Sequence, residues 1–167
     1  RKTRTRKKCP SSTPMTQADK AKRGASGESA VTASLAAAHL WNHKLVNAGF
    51  GTVFDKLIIQ PGGGWAVEVK TRKEPTIAFN TKSITPNERR GLDAFMPKVG
   101  SDRAVIIGIW RPEDDPHGRA FVIPWAAVRE AVCSGRRGSI RMTDWPELPR
   151  MGTGWDMSRF GGAPCGS

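Results

Sequence analysis

Residues 54–70 read FDKLIIQPGGGWAVEVK. Two short apolar runs flank a Pro-Gly-Gly-Gly turn, a pattern that commits the segment to a β-hairpin. The first run carries Asp55; the second carries Glu68, with Lys70 two positions beyond it. Residues two apart in a strand project from the same face. Glu68 and Lys70 therefore share one face, while Val67 and Val69 take the other. Asp55, on the preceding strand, lies opposite that pair where the hairpin register allows. A sheet that draws two acids and a lysine toward its middle must pair them or use them, because a buried charge left alone is costly.

The segments around the hairpin read as an alternation of helices and strands. Gly27-Glu28-Ser29 opens an alanine-rich stretch to about Ala48, with Val31, Leu35, Ala38, Leu45 and Val46 at helical spacing and Gly49 where a C-cap falls. Glu28 then sits in the first helical turn, where the macrodipole favours an acid for structural reasons alone. Phe50–Ile59 and Trp65–Thr71 form the hairpin strands, and Thr76–Asn80 a short third. Pro86 starts a second helix that runs to about Phe95. Ala104–Trp110 is a continuous β-branched run, the pattern of a central buried strand. Ala120–Ile123 is another strand, Pro124 opens a helix ending before Ser134-Gly135, and Ser139–Met142 is a last strand. Beyond Pro149 the Gly-rich sequence carries no structural signal. Trp65, Trp110 and Trp125 read as core; Trp145 and Trp155 read as packing residues or as platforms for unpaired bases.

Charge narrows the partner. The chain of 167 residues has a formal net charge of +12 and a pI of about 10.4. Such a balance favours a polyanion, nucleic acid before membrane; the bland alternative is a basic protein that is merely soluble. Residues 1–24 hold nine Lys or Arg against the single acid Asp19, so they carry +8 of that charge. Rich otherwise in Ser, Thr and Pro, they read as a flexible basic arm, with a solubilising tail as the plain alternative. The expected division is thus a basic arm over 1–24, a core over 25–149 and a Gly-rich C-terminal tail over 150–167.

Cys9, Cys133 and Cys165 are scattered and odd in number, and none lies near His39, His43 or His117. Neither a zinc site nor a disulfide framework is suggested, and a reducing cytoplasm is the plain inference. His39 and His43, four apart on an expected helix, are a possible metal pair, but no HExxH context supports them. No run of about 18 apolar residues is present to cross a membrane. The basic opening residues lack a following apolar stretch, so no secretory signal is expected.

Two carboxylates brought together repel each other and raise at least one pKa, and a divalent cation relieves that repulsion. Oxygen ligands point to Mg²⁺ or Mn²⁺ rather than zinc. Such an ion neutralises a phosphodiester, activates a water and steadies the leaving oxygen. Lys70 would then favour hydroxide or stabilise charge on the phosphate. A bare ExK motif is weak evidence, since exposed strands commonly carry a Glu–Lys salt bridge. The acid on the adjacent strand, Glu28 upstream and the basic composition strengthen it.

The order Glu28, then Asp55, then Glu68-Val69-Lys70 resembles the PD-(D/E)XK nuclease superfamily, and within it the Holliday-junction resolvases of the RecU and archaeal Hjc types. KRGASGESAV is similar to the lead into the first-helix glutamate, GTVFDKLII to the aspartate-bearing strand and WAVEVKTR to the ExK strand. SITPNERRGLDAF, RAVIIGIW, FVIPWAAVREAV and RGSIRM resemble the elements that follow, so the likeness spans about residues 22–145. It implies a restriction-endonuclease-like α/β fold, a mixed central β-sheet flanked by helices. It also implies a Mg²⁺-dependent endonuclease, with Mn²⁺ able to substitute, that cuts four-way DNA junctions as a homodimer in recombination and repair, in the cytoplasm of a bacterial or phage-infected cell. By position, Asp55 and Glu68 would bind metal, Glu28 would join them directly or through water, and Lys70 would orient or activate the nucleophile. Lys22, Arg23, Thr52, Arg72 and Lys73 would contact DNA; Thr52 is equally a β-former, and Arg72 and Lys73 equally a solvated strand end. Phe54 replaces the proline that often precedes the aspartate, and Asn87 or Glu88 stands where RecU-type chains usually have glutamine.

Two other readings stay open. One keeps the fold and acts on linear or damaged duplex. The other is a non-enzymatic nucleic-acid-binding module whose acids are structural.

Overall fold

The protein is described from a computed structural model, which describes residues 16–45, 53–60, 63–134 and 138–161. Helix α1 (Gln17–Ala37) leads to strand β1 (Trp41–Lys44), then β2 (Lys56–Gln60), β3 (Gly63–Arg72) and β4 (Thr76–Ala78). Helix α2 (Pro86–Val99), strands β5 (Ala104–Trp110) and β6 (Arg119–Pro124), helix α3 (Trp125–Cys133) and strand β7 (Ser139–Arg141) follow. A small hairpin, β8 (Arg150–Met151) and β9 (Gly154–Trp155), ends the regular strands.

Five strands form the main sheet in the order β1-β2-β3-β5-β6. The β1/β2, β2/β3 and β5/β6 pairs are antiparallel, and β3/β5 is parallel. The sheet is therefore mixed, and the expected α/β architecture with flanking helices is what the chain adopts. β3 lies at its centre, and its alternation sorts the two core layers. Trp65, Val67 and Val69 face a layer with Val31 and Leu35 of α1 and Met157 and Phe160 from the C-terminal segment. Ala66 faces the other layer, with Leu92 of α2, Ile106 of β5, and Trp125 and Val128 of α3. Burial of these apolar side chains supplies the main driving force.

Several boundaries differ from the sequence reading: the strand read from Phe50 begins at Lys56, and the helix read to about Phe95 continues through Pro97 to Val99. Helix α1 begins at Gln17, inside the segment read as a flexible arm, because Thr16 and Asp19 form a reciprocal capping box. It stops at Ala37, where His39 turns into the left-handed region with φ 56° and the chain enters β1. Glu28 thus lies mid-helix rather than in the first turn, which removes the macrodipole explanation for it. His39 and His43 are not on a helix: His43 lies in β1 and stacks on Trp41, with ring centroids 6.0 Å apart. At the other end, residues 150–161 pack on the core. Trp155 and Phe160 are buried, and the Trp155 amide donates to Ser34 Oγ at 3.1 Å. Trp145 is half-buried against the second core layer, so both tryptophans serve packing. Two-residue strands have no periodicity to read, which is why this hairpin gave no signal. Residues 1–15, the Phe50–Thr52 stretch and Cys165 lie outside the described residues.

Two glycines set helix-to-sheet distances. At Gly27 of α1 an added Cβ would lie 2.0 Å from Thr71 Oγ1 of β3. At Gly91 of α2 it would lie 2.3 Å from the Val53 carbonyl oxygen. Gly27→Ala should therefore destabilise the fold by about 1–3 kcal/mol through overpacking. The Thr71 hydroxyl is buried without a hydrogen-bond partner among the described residues, so Thr71→Ala should be near neutral alone and should recover part of the Gly27→Ala loss. Thermal unfolding of the two single variants and the double variant measures this; additive losses would count against a Gly27–Thr71 contact.

Candidate functional site

The acidic side chains gather around the second half of β3. Asp55 stands just before β2, where Lys56 is in register with Val67. Its Oδ2 accepts the Val69 backbone N–H at 2.8 Å, so the carboxylate occupies a ladder position between Glu68 and Lys70. Its backbone carbonyl accepts from Leu45 N at 3.2 Å, tying this turn to the end of β1. Phe54 is buried edge-on to Phe95 of α2, with centroids 4.8 Å apart. That contact and the close approach at Gly91 hold the turn against α2.

Glu68 and Lys70 share the face toward α2, as the alternation of β3 requires. Beside them on β5 stand Ile106, in register with Glu68, and Gly108, in register with Lys70. Neither offers a polar group. Glu68 is only 2% exposed. Its Oε1 lies 2.5 Å from Lys70 Nζ, while its Oε2 is buried with no hydrogen-bond partner among the described residues. Lys70 Nζ also contacts Glu88 Oε2 at 2.9 Å. The same Glu88 oxygen accepts the Thr85 N–H at 2.9 Å, in the capping box that starts α2. Glu88, and not Asn87, is thus the second-helix residue brought to the site; Asn87 accepts from Arg90 at its own surface. The ITPNE stretch is a Thr-x-x-Glu capping signature that points to Glu88 in the sequence.

The electrostatics follow from this burial. Glu68 is pushed up to about 8, first by desolvation and then by Asp55 and Glu88, with the Lys70 ammonium working against them. Asp55 is also raised, chiefly by burial, with the Val69 N–H opposing and Glu28 and Glu88 adding to the rise. For Lys70, burial alone would depress the ammonium, but Glu68 and Glu88 outweigh it and hold it above the ordinary lysine range. Arg72 lies on the same β3 face and donates to the Thr71 carbonyl at 3.0 Å; burial lowers it despite Glu88 and Glu68.

Glu28 stands apart from this group. Its Oε2 contacts Lys44 Nζ of β1 at 2.5 Å. Beneath lies Lys56, 2% exposed, a residue the sequence reading did not single out. It shares the parity of Ile58, which faces α1. Burial depresses its ammonium, with Glu28 and Asp55 opposing and Lys44 adding to the effect. A lysine at the start of an apolar run looks like a solvated strand end, so sequence gives little sign of it.

Among the described residues no group of three or more Asp, Glu, His or Cys side chains is close enough to hold a metal ion. The expected trio of Glu28, Asp55 and Glu68 is therefore present as a neighbouring pair with Glu28 turned to Lys44. Of the expected DNA contacts, Lys22, Arg23 and Lys73 line one cleft, Arg72 faces the acids, and Thr52 lies outside the described residues.

No family model matches the chain, and no curated protein does. Seven chains of solved structures match. One is the Hjc Holliday junction resolvase of the archaeal hyperthermophile Archaeoglobus fulgidus, similar at 17% identity and a TM-score of 0.49 over 71% of this chain and 87% of that one.

The raised Glu68 carboxyl gives stability a definite pH dependence. The folded protein holds a proton that an unfolded chain releases above its ordinary value of 4.5. This contribution is complete below that value and is lost as pH rises through about 8. Asp55 acts in the same direction, and Lys70, raised, does not oppose it in this window. With chelator present, Tm should fall from about pH 5 to about pH 9, and Glu68→Gln should flatten the fall. Equal slopes in the two proteins would contradict the assignment.

Proposed function

We propose that the protein is a Mg²⁺-dependent, structure-specific DNA endonuclease of the Holliday-junction resolvase type, with Mn²⁺ able to substitute. One observation carries the reading: the buried, unpartnered Glu68 Oε2 beside Asp55 and Lys70 on the central strand. For a charged carboxylate the lack of a partner among the described residues is costly, which a purely structural ion pair does not call for. The +12 charge supports a nucleic-acid substrate.

The donor set suits a hard, hydrated cation. Mg²⁺ takes one or two carboxylates and keeps several waters, and Asp55 and Glu68 are two neighbouring oxygen donors, both pushed up chiefly by burial. A cation held by them would supply neutralisation of the scissile phosphate and activation of a water. Glu28 would join them, directly or through water. The chain's own residues do the rest. Lys70 stays an ammonium, so it acts as a fixed positive charge toward the phosphate rather than as a general base. Glu88 and Glu68 hold its Nζ from two sides and so orient it. Arg72 adds a second cation on the same face. In the overall reaction water adds to phosphorus, one P–O ester bond breaks, and the leaving oxygen takes a proton. Two symmetric cuts at a four-way junction call for two copies of the chain.

Asp55→Asn and Glu68→Gln should abolish cleavage of a four-way junction while leaving its binding intact. Lys70→Ala should slow cleavage by about 10²-fold or more. The assay compares Mg²⁺, Mn²⁺, Ca²⁺ and chelator, on a junction and on a matched linear duplex. Cutting by both carboxylate variants at the wild-type rate would refute the site. Equal rates on junction and duplex would favour the linear-duplex nuclease, and metal-indifferent binding without cutting would favour the binding module.

A further inference from the structure

Four cations from three elements meet in one cleft of about 530 Å³, on the side of β3 where the strand ends. Lys22 and Arg23 come from α1, Lys73 from just past β3, and Arg111 from just past β5. Arg111 is the built part. Its backbone N–H donates to the Arg72 carbonyl at 2.8 Å, and its Nη1 donates to Ser26 Oγ of α1 at 2.9 Å. The guanidinium is thus held between the strand ends and the helix.

Two carboxylates, Asp19 and Glu113, line the cleft beside the cations, and Asp115 stands near Arg111. Asp19 accepts from the Thr16 N–H and hydroxyl, at 3.2 and 2.7 Å. Glu113 pairs with Lys73 at 2.6 Å. Asp115 accepts the His117 and Gly118 N–H groups and lies 3.6 Å from Arg150. Among the described residues no salt bridge joins Lys22, Arg23 or Arg111 to an acid. Arg111 is half-buried; burial first and the like charge of Arg23 second depress it, with Asp115 opposing. Lys22, Arg23 and Arg111 thus outnumber the acids left to balance them, Asp19 being turned to Thr16 and Glu113 to Lys73, and an excess of cations in one cleft forms a site for an anion.

We propose that this cleft is a second phosphate subsite, which grips the backbone of the DNA strand away from the scissile position, with Arg111 as its anchor. The anion class follows from the cleft itself; that it is a DNA phosphodiester rests on the function proposed above. The end of β3 connects the two places: Arg72 faces the acids, and the next residue, Lys73, lines the cleft. Three residues of extended chain separate Lys70 from Lys73, about 10 Å. The subsite therefore takes a phosphate close along the backbone from the one at Lys70.

The test measures binding of the full chain to a labelled four-way junction and to a matched linear duplex, in chelator, across a salt series. The variants are Arg111→Ala and the double Lys22→Ala/Arg23→Ala, with Arg129→Ala on α3 as a control that removes one exposed charge from another surface. The helix substitutions bring in the best helix former, so the double variant carries the test where Arg111→Ala unfolds. Each lost phosphate contact should make the slope of log K against log salt shallower by about 0.9, or about 1.8 for the double variant. Affinity should fall about tenfold or more, while the control binds like wild type. Wild-type slopes and affinities in both cleft variants, or no DNA binding by the wild type, overturn the subsite. Because nothing need be cut, a wild type that binds through the cleft yet never cleaves would overturn only the nuclease reading.

Discussion

A carboxylate buried on the central strand with one oxygen unpaired constrains everything around it. Desolvating Glu68 and Lys70 costs more than their mutual attraction returns unless further hydrogen bonds complete the group. Apolar residues at both positions would pack against Ile106 at least as well. The surroundings act to contain the cost. Helix α2 begins where its capping glutamate reaches the Lys70 ammonium. Glu88 Oε2 both caps its own helix and completes the ion pair. Gly91 brings α2 down onto the Val53 backbone, so the Asp55 turn, the helix and the strand are fixed as one unit. Folding energy is being used here to hold charge, which is what supports the site proposed above.

This part of the molecule was legible from the sequence because it depends on short-range rules. Period-2 alternation put Glu68 and Lys70 on one face, the glycine turn put Asp55 beside them, and the Ala104–Trp110 run gave the neighbouring strand. Where the reading failed, the deciding interaction was not periodic. The apolar spacing through Leu45 suggested one long helix, yet the chain leaves the helix at His39, and WNHK forms an edge strand whose partner lies beyond Asp55. Trp41, 57% exposed, stands opposite Ile59 on that edge, a pairing visible only once β2 is in place. The burial of Lys56 and the bracing of Arg111 by Ser26 depend on α1 crossing the sheet, which no local pattern records.

The placement of Glu28 explains why three acids do not gather. Cations interleave with the carboxylates: Lys44 beside Glu28, and Lys70 between Glu68 and Glu88. Asp55 takes a backbone N–H instead. These partners are not equivalent. The Lys44 side chain is largely exposed, and an exposed pair of this kind is worth about 0–1 kcal/mol. Parting Glu28 from Lys44 therefore costs little, whereas parting Lys70 from its two glutamates would strand a buried ammonium. The site has one acid that moves cheaply and one lysine that does not move. That asymmetry suits a centre that recruits a cation without losing its fixed positive charge.

Charge on a larger scale works in the same direction. The chain is strongly basic, but the basic side chains nearest the acids are tied up in ion pairs or buried, while Lys22 and Arg23 have no acid partner among the described residues. Long-range attraction of a polyanion thus comes from the surface beyond the site, where it is screened by salt. The interactions inside are short, desolvated and little screened. On the proposed function, capture of the backbone and chemistry at one phosphate would fall to different residues, and β3 links them, turning from Lys70 and Arg72 on one side to Lys73 on the other within a few residues.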